Sequence, residues 1–120
     1  MSISNEALQK LIQEIELKSI QAQQQITMVR SQQAARQREM RLAQLTRSEI
    51  SSLPADTPVY EGLGKMFVAI PVSAMNDKLG KQVKDLETDI EGLGKRLHYL
   101  ETTAKNSQSS IDKILRRGDA

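Results

Sequence analysis

Cysteine and tryptophan are both missing from these 120 residues, and aromatic side chains make up only 2% of them. Without cysteine there is no disulfide framework, no thiol nucleophile and no cysteine-ligated zinc; the absence fits a reducing compartment. One Phe and two Tyr cannot supply the large rings around which a compact core of this size is usually built. The single histidine, His98, cannot make a usual transition-metal site by itself and reads as a solvated helix residue. No apolar run approaches the roughly 20 residues that a bilayer span needs. The N-terminal MSISNEALQKLIQEIELK is acidic early and has no apolar h-region, so no signal peptide is expected. Positive charge is also short: 17 Lys and Arg stand against 15 Asp and Glu, whereas a nucleic-acid binder concentrates a basic excess. The expectations are therefore no catalysis, no cofactor, no metal, no membrane and no nucleic acid.

What remains is aliphatic and periodic. In the second half, Leu79, Val83, Leu86, Ile90, Leu93, Leu97, Leu100, Ala104, Ser107, Ile111 and Ile114 follow one another in steps of four and three. Such a repeat keeps one narrow seam facing a partner helix, the signature of a coiled coil. Ser73 is a candidate N-cap, and Gly118 stands where helices often stop. The first half carries a weaker seam: Leu8, Ile12, Ile15, Ser19, Ala22, Ile26, Val29, Gln33, Arg36, Met40 and Ala43. Ser4 or Asn5 could cap its start, and neither Pro nor Gly occurs before Pro54. The glutamines at 23 to 25 fall within this repeat and read as a solvated helix face.

These stretches predict one mainly α domain over residues 1–120. Helix 1 is expected over about 5–45, a connector with a β-hairpin over about 46–72, and helix 2 over about 73–117. Matched lengths around a short connector suggest an antiparallel two-helix coiled-coil hairpin within one chain. Setting small residues against large ones favours a pairing in which residue numbers sum to about 119. Ser19 then faces Leu100 and Ala22 faces Leu97. The alternative, a sum of about 126, sets Ser19 on Ser107 and Ala22 on Ala104, which fills the seam poorly.

The connector is more than a turn. Thr46 and Glu49 have capping-box spacing, so a short helical turn is expected to begin there. Pro54 and Pro58 argue against a helix through the region. Val59-Tyr60-Glu61-Gly62 and Met66-Phe67-Val68-Ala69-Ile70 then read as strands, with Gly62-Leu63-Gly64-Lys65 as the hairpin loop and Pro71 as the stop. A lone two-stranded hairpin is marginal in water. Val59, Tyr60, Leu63, Met66, Phe67, Val68 and Ile70 are therefore the candidates for pairing with strands of other subunits. The Gly62-Leu63-Gly64-Lys65 run lacks the long glycine loop, the following Ser or Thr and the helix of a phosphate-binding loop.

The connector TRSEISSLPADTPVYEGLGKMFVAIP and the leucine repeat after it resemble a β-type subunit of the prefoldin family. Val59 through Val68 is the most specific part, and the likeness covers nearly the whole chain. It implies an ATP-independent co-chaperone: a heterohexamer whose hairpins join in an inter-subunit β-barrel and whose coiled-coil tips hold unfolded proteins, notably actin and tubulin. It also implies delivery to the cytosolic chaperonin and a cytoplasmic location, with nuclear residence left open. Gly92 and Gly94 in helix 2, and Gln33 and Arg36 in the seam of helix 1, depart from an ideal coiled coil.

Client-binding candidates are apolar residues near the two chain ends: Leu8, Leu11, Ile12, Ile111, Ile114 and Leu115. Most lie on the seam, where mutual burial is their ordinary role. Leu11 and Leu115 lie off it. Arg30, Arg36, Arg38 and Arg41 form a basic stretch, which by default is a solvated helix face. The rival reading is a structural coiled-coil tether, and the predicted strand pair separates the two, because a tether has no need of a sheet at its bend.

Overall fold

In the computed structural model, which describes residues 4–118, two helices flank one antiparallel hairpin. The element order is α1 (Asn5–Ser51), β1 (Val59–Leu63), β2 (Met66–Ile70) and α2 (Val72–Gly118). Ser4 caps α1: its Oγ accepts from the Ala7 backbone N–H at 3.2 Å, satisfying one of the donors that a helix start leaves free.

Helix α1 continues past the expected end near residue 45. Thr46 opens no new helix. Its Oγ1 donates to the Leu42 carbonyl at 2.8 Å, the back-bond of a hydroxyl residue inside a helix. Ser51 does the same to Arg47 at 2.7 Å. Ile50 extends the seam and is buried. The helix then closes in tight turns, with Leu53 N–H donating to Ile50 C=O at 3.0 Å, and Pro54 follows. Helix α2 starts at Val72, directly after Pro71, whose carbonyl accepts from Met75 N–H at 3.0 Å; Ser73 lies inside the helix and is not its cap.

The chain divides into two compact units, described in turn: Met1–Gln32 with Leu93–Ala120, and Gln33–Gly92. In the first, Ile26, Val29 and Leu100 form a buried cluster against which Leu93, Leu97 and Ala104 pack. The helix segments run antiparallel: Arg30 of α1 bonds Glu101 of α2 at 2.8 Å, while earlier α1 residues Ile15 and Lys18 share a groove with Asn106, Ser107 and Ser110. In the second unit Ile50, Val72 and Met75 form the core, with Val59, Ile70 and Leu79 against it. The hairpin is thus rooted on the adjoining helix ends.

The expected seam is the buried one. Every α2 seam residue from Leu79 to Ile114 is buried or half-buried, and on α1 only Arg36 is exposed. The pairing along it is not the expected one. Leu100 packs with Ile26 and Val29 rather than facing Ser19, an offset of one heptad that corresponds to the rejected sum near 126. Small-against-large matching favoured the sum of 119, whereas in the fold the larger residues Ile26, Val29 and Leu100 pack on one another.

Candidate assembly and client-binding surfaces

Strand pairing sets Val59 against Ile70, Tyr60 against Ala69, Glu61 against Val68, Gly62 against Phe67 and Leu63 against Met66. The loop is therefore only Gly64-Lys65, not the four residues expected. Gly64 has φ 60, a left-handed conformation that glycine adopts without steric cost.

Alternation along the strands separates two faces. On one, Val59 and Ile70 pack onto the helix-end core, and Glu61 pairs with Lys78 of α2, which ties the middle of the hairpin to the helix. Leu63 and Met66, at the far end of this face, are exposed. The other face carries Tyr60 and Phe67, and Phe67 is 77% exposed. Its Cε1 lies 3.7 Å from where a Gly62 Cβ would stand, so the ring rests over the glycine across the strands. The sheet has only these two strands, so each keeps an unpaired backbone edge among the described residues. Unpaired edges beside exposed apolar side chains are a template for further strands.

Of the seven assembly candidates, Tyr60, Leu63, Met66, Phe67 and Val68 face solvent; Val59 and Ile70 belong to the root. No sequence signal marked the Glu61–Lys78 pair, because it forms only once the hairpin folds back on α2.

The six client-binding candidates separate by environment. Leu11 is 40% and Leu115 52% exposed, while Ile111 is only 7% exposed. Leu8, Ile12 and Ile114 are half-buried. Ile111 is thus a seam residue and offers little free surface. Nearby the seam is thin. Ser19 and Ile20 line one open groove with Gln108 and Ile111, and Ile15 lines another with Ser107. Leu17, Ile20 and Met28 of α1 are also exposed; they could have been found by asking which apolar residues remain after the seam is assigned. His98 is exposed. Among the described residues no group of three His, Cys, Asp or Glu converges as a metal site would require, and no helix is long and apolar enough to cross a membrane.

Known proteins share this arrangement. A family model described as "Prefoldin subunit" matches residues 7–117. "Probable prefoldin subunit 1" of Schizosaccharomyces pombe is 34% identical over 107 residues, covering 89% of this chain and 96% of that protein. "Prefoldin subunit 1" of Homo sapiens is 32% identical over 108 residues, covering 90% and 88% respectively. The crystal structure of the prefoldin beta subunit from Thermococcus strain KS-1 superposes with a TM-score of 0.82 at 26% identity, covering 88% of this chain and 93% of that one.

Proposed function

Because this chain belongs to the prefoldin family and is a chaperone subunit that assembles with other prefoldin subunits, we propose that its hairpin is the assembly element and its helix ends are a client site. The observation that carries the reading is the exposed hairpin. Tyr60, Leu63, Met66 and Phe67 stand in solvent beside unpaired strand edges, while the hairpin root is fixed by Ile50, Val72 and Met75. Strands of neighbouring subunits would cover both the edges and the side chains, closing an inter-subunit barrel within a heterohexamer. A structural tether would have no use for such a sheet.

At the helix ends, Leu11 and Leu115 supply exposed apolar surface, and half-buried Leu8, Ile12 and Ile114 can join them as the terminal turns fray. Ile111 contributes by supporting this surface from the seam. Such contacts are individually weak and indifferent to sequence, which suits the capture of unfolded actin-like or tubulin-like chains by several subunits together. Hand-over to the cytosolic chaperonin then needs no nucleotide in this chain, and the work would be done in the cytoplasm.

The test is the double variant Leu11→Ser with Leu115→Ser, assembled with the other subunits. The hexamer should form normally and suppress aggregation of an unfolded client less well. Undiminished protection would reduce this chain's role to architecture.

A further inference from the structure

A cationic groove in the Gln33–Gly92 unit serves neither surface described above. It is lined by Arg47 of α1 and by Asp77, Gly80, Lys81 and Lys84 of α2, and it opens to solvent with a volume of about 330 Å³. Gly80 accounts for its form. A Cβ built there would stand 3.2 Å from Arg47 Cζ and 3.3 Å from both Nη1 and Nη2. With the central carbon nearest and the two nitrogens equidistant, the guanidinium lies face-on against α2. A Cβ at position 80 would make the guanidinium give by a few tenths of an ångström. Glycine, otherwise unfavourable inside a helix, admits it.

The face-on pose leaves the in-plane N–H fork of Arg47 directed elsewhere, and that fork matches a carboxylate in two-pronged fashion. Among the described residues no carboxylate is paired with it. Arg47, Lys81 and Lys84 make no ion pair among the described residues, and Asp77 is the one carboxylate in the lining. Three cationic residues and one carboxylate therefore line the groove.

We propose that this groove receives an acidic segment of a neighbouring prefoldin subunit, one carboxylate forked on Arg47 and others met by Lys81 and Lys84. Charge complementarity selects the acidic segment. Position selects the subunit: Arg47 lies about one turn before Ile50, and Gly80 little more than a turn beyond Met75, two of the three residues on which the hairpin is rooted. At about 5.4 Å per turn, a subunit pairing with the hairpin passes beside the groove. The inference rests on the hairpin being the assembly surface.

Arg47→Gln and the double variant Lys81→Gln with Lys84→Gln should each be titrated with the other prefoldin subunits at low and high salt, beside Phe67→Asp. Each groove variant should raise the assembly midpoint roughly tenfold at low salt and converge with the unaltered chain at high salt, where the ion pairs are screened. Arg47 is exposed and makes no ion pair among the described residues, so weaker assembly of Arg47→Gln would report the missing guanidinium and not misfolding. A photo-crosslinking residue in place of Lys84 should capture an Asp- and Glu-rich peptide of another subunit. Unchanged assembly at every salt concentration, or crosslinks confined to this chain, would overturn the proposal. So would normal assembly with loss of binding to a single-stranded oligonucleotide, which would assign the groove to polyanions. If Phe67→Asp assembles normally while the groove variants do not, the hairpin reading fails and takes with it the positional ground for the occupant, and the crosslinked peptide then decides what the groove holds.

Discussion

Val29 and Phe67 carry similar chemistry into opposite surroundings. Val29 is 1% exposed between Ile26 and Leu100, whereas Phe67 is the most exposed of the large apolar residues described. Val29→Ala would remove buried methyl groups and leave a void that the helices close only in part, at a cost of about 1.5–3 kcal/mol. A lower urea midpoint of the helical circular-dichroism signal should record it. Phe67→Asp should leave that signal almost unchanged, since the ring covers little besides Gly62. Its effect belongs to assembly: a carboxylate buried in a sheet interface without a partner costs several kcal/mol. Co-purification with partner subunits should fail. Normal co-purification would mean that Phe67 stays in solvent. The exposed Arg30–Glu101 pair deserves no such weight, because ion pairs of this kind contribute about 0–1 kcal/mol.

Helices and strands were legible because their periods differ. The three-and-four repeat of α2 marks its buried side residue by residue, and the β-branched and aromatic runs mark the strands. Helix ends were harder. Thr46 and Glu49 fit a capping box, yet the same hydroxyl satisfies itself on the Leu42 carbonyl when the helix continues, and sequence spacing cannot tell the two apart. In the pairing of the helices, small-against-large matching gave way to the packing of Leu100 on Ile26 and Val29. Ala22 lies one turn from Ile26, and Ala104 one turn from Leu100, so cysteines replacing Ala22 and Ala104 should crosslink readily. Cysteines replacing Ala22 and Leu97 should not. The reverse preference would restore the pairing near 119. Of the candidate surfaces, the hairpin was legible as an unpartnered sheet, and Leu11 and Leu115 as residues off the seam. The Glu61–Lys78 and Arg47–Gly80 contacts were not, since each joins residues that only the folded chain brings together.

The chain as a whole separates what it buries from what it leaves open. Part of its aliphatic side chains form two small cores, and its most exposed ring stands on the hairpin. With so few aromatics, little is left over for a core that could bury the hairpin within the chain, and its ring and strand edges stay open among the described residues. Membership of the prefoldin family supplies partners of matching design. The central claim is that this hairpin builds a shared platform rather than ending a free-standing tether. Native mass spectrometry after co-expression with the other prefoldin subunits tests it most directly. The account predicts a defined heterohexamer that contains this chain and that Phe67→Asp dissolves. A stable monomer or a plain two-chain coiled coil, unaffected by Phe67→Asp, would contradict it.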